Sequence, residues 1–410
     1  MSQTPALQYL NLIRKRLKVI RADLPKLTAL GEAMAGHMLA GGNLYTPPVN
    51  RFWVTEFNNR AGGLMGIHWP EKPRRHDVAF FALPDPRAWD PRKDQTLTAL
   101  LKSKAQLFAI GAKADVVALG STKRFAGFTG AAGADEGLFG MPGIKPLACL
   151  RPFDMFVRGW IATGEMIAAC TRAGKMPMVW MSYWLEGSWV RNQYFLETDN
   201  IREPWLMPFF HKRMYIPPLR EGRVGNEFLD FSAGIHKLLE AQADKLALAG
   251  RWLAEAKKAG RLNWAVAVGH SYPQVLGLAS QGNWPGTGGK DYTYPINWGG
   301  SFSNLRKAVP MSLRDGAVCL HLGYSPVDVK DVAAILKRGV RFIYSSPYGR
   351  PANLPEHKNF IWLDLPWRPA DATVDVPGYS VRILPGSSTA QTMAYFAILS
   401  EMAARMGWTK

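Results

Sequence analysis

The spacing of apolar residues predicts long helices at the start of each half of the chain. Between residues 227 and 259, apolar side chains recur every three or four positions, as on one buried face of a helix. A similar pattern covers residues 7–40, where Pro25 predicts a break or kink. We therefore expect one long helix over residues 227–259 and a broken helix over residues 7–40.

Short apolar runs with the length of buried strands follow these helices. A helix over residues 329–338 separates two of the runs, and residues 99–110 have the pattern of a helix followed by a strand. A last helix is expected to open at residues 387–389, Ser-Ser-Thr. The other predicted strands are residues 52–55, 78–83 and 116–119 in the first half and 264–268, 317–322, 340–344 and 360–363 in the second.

The order of these elements is the same in both halves, which indicates an internal repeat. Strands that alternate with helices are typical of a parallel sheet covered by helices on both faces. Residues 204–226 contain four prolines and several aromatic residues, as a linker does. We therefore expect an α/β fold with a first domain over residues 1–203, a linker over 204–226 and a second domain over 227–410.

Length and composition agree with a folded protein of two domains. The chain has 410 residues, of which 47% are hydrophobic and 20% charged. Its formal net charge is +18, which attracts anions such as phosphorylated metabolites or nucleic acid. Because the positive residues are scattered, a solvated surface is favoured over a nucleic-acid groove, and nucleic-acid binding stays as an alternative that rests on charge alone.

Several classes of protein are disfavoured by the absence of their motifs. The three cysteines are isolated, so neither a disulfide framework nor a thiolate zinc site is expected. No histidine has a metal-binding spacing, and no G-x-G-x-x-G follows a predicted strand. No apolar stretch has the length of a membrane span or a signal sequence. We expect a cytoplasmic protein without cofactor, metal or membrane.

Three segments resemble the sugar isomerase (SIS) domain family. Residues 56–63, Glu-Phe-Asn-Asn-Arg-Ala-Gly-Gly, resemble the E-[LF]-x-x-R-A-G-G segment of a bacterial subgroup of these domains. Residues 177–182, with Gly187 and Asn192 beyond them, resemble the segment that closes the same domains. Residues 227–271, a helix, a strand and Gly-His-Ser, resemble the entry into such a domain.

The resemblance implies two tandem SIS-like domains, each a three-layer α/β/α unit of flavodoxin-like type. It also implies a phosphorylated sugar as ligand and, as the leading function, an aldose–ketose isomerase. The alternative is a phosphosugar sensor or regulator without catalysis. Residues 83–87 and 323–326 both lack the Ser/Thr-rich phosphate loop of the family, although Ser325 lies in the second segment. The loss of this loop in the first domain favours the sensor, or indicates that one domain has become structural. Domains of this type commonly pair, so a homodimer stays open.

Candidate ligand-binding residues follow from where parallel sheets bind their ligands, at the carboxyl ends of strands and the N-termini of helices. Each has a structural alternative: a hydrogen-bonded histidine, a turn before a proline, or a helix cap. The candidates are His270 and Ser271 after the first strand of the second domain, Ser325 after the next strand, and Ser387, Ser388 and Thr389 at the last helix.

Two candidate catalytic residues come from the family resemblance. Isomerisation needs a base that moves a proton between adjacent carbons, and Glu56 in the family-like segment is the first candidate. His236, within a helix, is the candidate acid for opening the sugar ring. Arg60 is a candidate ligand residue. The structural alternatives are a salt bridge between Glu56 and Arg60, one helical turn apart, and a purely structural histidine at position 236.

Overall fold

The structure is a computed structural model of the chain. It describes residues 3–67, 73–83, 90, 92–111, 124–130, 138, 150–196, 209–267, 297–300, 305, 309–323, 328–354, 356–367 and 371–408.

The first half contains one parallel sheet with helices around it. Its strands are β1 (Leu44–Tyr45), β2 (Val78–Ala82), β3 (Gln106–Gly111) and β4 (Phe125–Gly130), hydrogen-bonded in that order. Its described helices are α1 (Pro5–Ala22), α2 (Leu24–Leu39), α3 (Arg51–Phe57), α4 (Gln95–Lys102), α5 (Arg151–Arg172) and α6 (Ser188–Leu196).

The second half contains a five-stranded parallel sheet and a short antiparallel hairpin. The sheet consists of β5 (Asn263–Ala267), β6 (Asn297–Gly300), β7 (Val318–Leu322), β8 (Arg341–Ser346) and β9 (Phe360–Asp364), and the hairpin of β10 (Ala372–Val374) and β11 (Ile383–Pro385). The described helices are α7 (Arg223–Glu240), α8 (Ala243–Lys258), α9 (Val329–Lys337) and α10 (Ser387–Arg405).

The strand order of the second sheet is that of a flavodoxin-like fold. Its strands are ordered β6-β5-β7-β8-β9, and every neighbouring pair is parallel. In the first sheet, Leu44 of β1 also forms a parallel bridge to Ile67, on the side away from β2. The expected α/β class with parallel sheets and flanking helices is therefore confirmed.

Two predicted elements were wrong in detail. Residues 52–55 belong to helix α3, because the Asn50 side chain caps the helix and the rings of Trp53 and Phe57, four positions apart, stack at 4.1 Å. The predicted helix over 227–259 is two helices, α7 and α8, which meet at Gln242. The side-chain amide of Gln242 forms hydrogen bonds with the backbone of Asp364, the last residue of β9. The strand predicted at 116–119 lies outside the described residues.

The two halves share one hydrophobic core. Helices α5 and α10 are buried along almost their whole length, and α1, from the first half, packs against α7, α8 and α10 of the second. Ala6, near the start of α1, donates its backbone N–H to the Glu401 carboxylate of α10. The domain boundaries at 203 and 227 stay predictions, since residues 197–208 are outside the described part.

No described helix is long and apolar enough to cross a membrane. Cys170 and Cys319 are buried and form no disulfide.

Candidate functional site

Four of the predicted site residues lie together in one buried cluster. Glu56 and Arg60 come from the end of α3 and the turn after it, and Ser387 and Ser388 from the first turn of α10. The structure adds Asp371, which precedes β10. Asp371 was not predicted, because it lies outside the family-like segments and its partner Arg60 is 311 positions away.

A sharp turn after α3 brings Arg60 back onto Glu56. The helix ends at Phe57, and Asn59 adopts a positive φ of 50°. Gly62 follows with a φ of 77°, in the region that glycine adopts most readily. A Cβ atom at Gly62 would lie 2.8 Å from the Cβ of Ala372, so glycine also permits this close approach to the second half.

The Arg60 guanidinium binds four side chains, and with these bonds it connects the halves of the chain. Nη1 lies 2.5 Å from Glu56 Oε2 and donates to Ser388 Oγ at 2.7 Å. Nη2 donates to Ser387 Oγ at 2.5 Å and lies 3.3 Å from Asp371 Oδ2. The alternative of a Glu56–Arg60 salt bridge is therefore present in the structure.

Both carboxylates of the cluster are fully engaged. Glu56 Oε1 accepts a hydrogen bond from Trp160 Nε1 at 2.8 Å, and Oε2 accepts one from Ser388 Oγ at 2.7 Å. Asp371 Oδ1 accepts the backbone N–H of Ser387 at 2.7 Å. Trp160 on α5 was not predicted, since a tryptophan in a buried helix has no local sign of a hydrogen bond to a distant acid.

Two carboxyl groups compete for one guanidinium in this cluster. Glu56, Arg60 and Asp371 are 3%, 1% and 0% exposed. Burial raises the pKa of both Glu56 and Asp371, although Arg60 partly offsets this effect. The cluster can therefore hold a proton on a carboxyl group at a pH where an exposed carboxyl would have lost it.

His236 lies apart from this cluster, on α7. Its Nε2 is 2.7 Å from the backbone oxygen of Leu10 in α1, and its Nδ1 is 3.4 Å from a carboxylate oxygen of Glu240. These contacts fit a purely structural histidine, and the role of His236 as the acid that opens the sugar ring stays a prediction. His270, Ser271 and Ser325 are outside the described residues.

The start of α10 differs from the expected helix cap. The N-cap residue is Gly386, which has no side chain, while the hydroxyls of Ser387 and Ser388 bind Arg60. Thr389 is 1% exposed, and its Oγ1 has no hydrogen-bond partner within the described ranges. Of the three predicted residues, Thr389 is thus the one whose hydroxyl is not already used.

A second group of polar residues lies where β7 and β8 end. His321, on β7, is completely buried, and its ring stacks on Tyr344 of β8 with centroids 4.1 Å apart. Burial lowers the pKa of His321 to about 4, so the ring is neutral at neutral pH. His321 was not predicted as a site residue, because a histidine inside an apolar strand has the pattern of a core position.

The neutral His321 ring leaves one nitrogen without a partner. Nδ1 lies 3.2 Å from the Ser345 carbonyl oxygen and 3.3 Å from the Gly323 N–H, which require opposite protonation of that nitrogen. In either tautomer, Nε2 has no partner within the part of the chain that the structure describes, and neither has the buried hydroxyl of Ser345.

The described residues hold no group of three or more His, Cys, Asp or Glu side chains that could bind a metal ion.

Comparisons with known proteins give structural likenesses only. Neither the models of known protein families nor the curated proteins contain a match. The C-terminal domain of glucosamine-fructose-6-phosphate aminotransferase from Francisella tularensis matches with a TM-score of 0.49 and 9% identity, over 99% of this chain and 98% of that chain. A candidate phosphosugar isomerase from Silicibacter pomeroyi matches with a TM-score of 0.46 and 10% identity, over 99% of both chains.

A third solved structure, a candidate phosphosugar isomerase from Salmonella typhimurium, matches with a TM-score of 0.45 and 10% identity over 93% of both chains. The second and third of these structures are described as phosphosugar isomerases, and the first as a domain of an aminotransferase. At such identities and scores, the likeness fixes neither an activity nor a ligand for this chain.

Proposed function

We propose that this protein binds a phosphorylated sugar at the carboxyl edge of its second sheet. The observation that carries the proposal is the strand order β6-β5-β7-β8-β9 with all pairs parallel. In a sheet of this order, the connections leave β5 and β7 in opposite directions, and a crevice forms between their carboxyl ends. In the sequence, His270 and Ser271 follow β5, and Ser325 follows β7.

Buried polar groups at this edge support a polar ligand. His321 Nε2 and Ser345 Oγ, near the ends of β7 and β8, have no partner among the described residues. A buried polar atom without a partner costs about 1–3 kcal/mol, so such atoms usually bind water or a ligand. A sugar, with several hydroxyls that both donate and accept, suits such groups.

The engaged carboxylate of Glu56 favours binding without catalysis. A base that takes a proton from a sugar carbon needs an oxygen that can reach the substrate. Both oxygens of Glu56 accept hydrogen bonds from buried side chains, and Oε2 also pairs with Arg60. We therefore favour a phosphosugar-binding sensor or regulator.

Isomerisation is the second candidate, and the raised pKa of Glu56 favours it. A general base works best when its pKa lies near the working pH, and burial moves the pKa of Glu56 in that direction. In this case, Glu56 would have to leave Arg60 when substrate binds. The role of Glu56 as base and that of His236 as acid are proposals within this second candidate.

Binding is tested by isothermal titration calorimetry with hexose 6-phosphates, the free hexoses and inorganic phosphate. We expect at least one sugar phosphate to bind more tightly than its free sugar, and His270→Ala and Ser325→Ala each to weaken it at least tenfold. The matched control is Ser312→Ala, an exposed serine of the second half. The proposal is wrong if no sugar phosphate binds. It is also wrong if His270→Ala and Ser325→Ala both bind as the wild type and the control do.

Catalysis is tested separately, with the sugar phosphate that binds. An isomerase exchanges the proton on the carbon next to the carbonyl with solvent, so NMR in deuterium oxide detects deuterium uptake. Deuterium uptake that Glu56→Gln abolishes would establish the isomerase. Binding of the sugar phosphate without deuterium uptake would exclude isomerisation of that sugar phosphate and support the function of sensor or regulator.

A further inference from the structure

Segments of the two halves line a half-open cavity, and none of the predicted site residues belongs to its lining. Its volume is about 350 Å³, within the range of small-molecule pockets. One wall comes from the first half, with Gly62 and residues 180–182 and 185. The other wall comes from the hairpin β10–β11 and its loop, within residues 372–382.

Backbone hydrogen bonds fix the two walls against each other. Gly62 N donates to the Trp180 carbonyl at 2.9 Å, and Leu384 N donates to the Gly62 carbonyl at 2.9 Å. On the other side, the Val179 N–H donates to the Tyr379 hydroxyl at 3.1 Å. The cavity therefore exists before any ligand binds, so little ordering is needed on binding.

Arg191 holds the hairpin loop from the first half. Its Nη2 donates to the Tyr379 hydroxyl at 3.1 Å, and its Nε donates to Ser380 Oγ at 3.2 Å. Its guanidinium also lies over the Tyr379 ring, 5.5 Å from the centroid. The wall that contains Tyr379 and Ser380 is thus fixed by residues outside the cavity.

The lining combines apolar surface with hydroxyl groups. Trp180, Leu185 and Val376 supply apolar surface, and Ser182 and Ser380 supply hydroxyls. Within the described part of the chain, Ser182 Oγ accepts one long hydrogen bond, 3.4 Å from the Trp184 nitrogen, and its own proton can be donated to a ligand. A ring with an apolar C–H face and hydroxyls at its edge matches such a lining.

The charges of the lining balance, which argues for an uncharged ligand. Arg382 and Asp375 are its charged residues, and they pair with each other, with Nε 2.6 Å from Oδ1. Among the described residues of this lining, a phosphate or carboxylate would meet only an arginine that already has a carboxylate beside it. The pair instead offers a donor and an acceptor side by side, as two neighbouring hydroxyls of a sugar require.

From this lining we infer a second binding site, for a neutral hydroxylated ring the size of one monosaccharide. The ring packs its C–H face on Trp180 and Leu185, and its hydroxyls bind Ser182 and the Arg382–Asp375 pair. This second site does not depend on the phosphosugar site proposed above. Because both halves line it, its ligand also stabilises their contact.

The test measures binding of four uncharged probes: the methyl glycosides of glucose, galactose and mannose, and myo-inositol. Ligand-observed NMR and calorimetry give the affinity. The variant Ser380→Trp places a large ring at the exposed rim of the cavity, and Ser312→Trp is its matched control at an exposed serine elsewhere. Asp375→Ala is a second variant on an exposed side chain, which removes the acceptor without burying a new group.

We expect saturable binding of at least one probe, weakened at least tenfold by Ser380→Trp and by Asp375→Ala and unchanged by Ser312→Trp. His270→Ala should leave it unchanged, which separates this site from the phosphosugar site. If no probe binds, or if Asp375→Ala and a folded Ser380→Trp both bind as the wild type does, the inference is wrong. Far-ultraviolet circular dichroism establishes that each variant is folded.

Discussion

Arg60 and Asp371 form an ion pair across the two halves of the chain, with Nη2 3.3 Å from Oδ2 and both side chains buried. The same guanidinium also pairs with Glu56, so one cation forms ion pairs with two buried carboxylates. This arrangement differs from a surface salt bridge, because neither water nor salt screens it. Its removal should therefore affect the stability of the whole protein.

Replacement of Arg60 should be strongly destabilising. Arg60→Met leaves two buried carboxyl groups without their cation, and the free energy of unfolding should fall by about 3–5 kcal/mol. Arg350→Met is the control, since Arg350 pairs with Glu356, which is largely exposed, and such pairs contribute about 0–1 kcal/mol. Urea denaturation measures both. Equal losses for the two variants would mean that the buried cluster adds no particular stability.

The raised carboxyl pKa values predict how stability depends on pH. The folded protein holds protons at Glu56 and Asp371 more tightly than the unfolded chain does, because burial raises both pKa values. Their contribution to stability is therefore complete at acid pH and is lost as the pH rises through the raised pKa values. Glu56→Gln should make the fall in stability with rising pH less steep, measured by denaturation from about pH 4 to pH 8. An unchanged slope would contradict a raised pKa at Glu56.

His321 should have the opposite effect. Its pKa is lowered to about 4 by burial, so the unfolded chain binds a proton more tightly than the folded protein does. The stability should then fall as the pH drops from about 6.5 toward 4, by about 2 kcal/mol between pH 7 and pH 5. His321→Phe, which retains a ring against Tyr344, should remove this part of the acid sensitivity. NMR of the imidazole offers a direct measurement, and a midpoint near 6.5 would exclude the lowered pKa.

Two glycines provide a matched test of the packing between α8 and α10. A Cβ atom at Gly250 would lie 2.3 Å from the Cβ of Glu401 and 2.8 Å from the Ile398 carbonyl oxygen. Gly250→Ala should therefore force the helices apart and reduce stability by about 1–3 kcal/mol. Gly234, on α7, has open space around it, so Gly234→Ala should raise stability by up to about 1 kcal/mol. Thermal melting of both variants decides this, and a stabilising Gly250→Ala would contradict the close packing.

Local periodicity in the sequence correctly predicted most elements of the second half. The strands at 317–322 and 360–363 and the helix from 329 agree with β7, β9 and α9 to within about two residues. The apolar spacing of a strand or a helix involves residues that are close in sequence, so a short segment is enough to predict the element. Periodicity was misleading at residues 52–55, because four residues are too few to distinguish the spacing of a strand from that of a helix. The Asn50 side chain caps this segment, which forms a helix.

The sequence by itself determined the α/β class, four of the five strands of the second sheet and the Glu56–Arg60 pair, because each depends on residues within a few positions of one another. Only the tertiary structure decided that Arg60 also binds Asp371 and Ser387, that Trp160 donates a hydrogen bond to Glu56, and that residues within 180–185 and 372–382 line one cavity. These contacts join residues that are 104 to 327 positions apart. Such partners share no spacing in the sequence, and the packing of the two halves on one core brings them together.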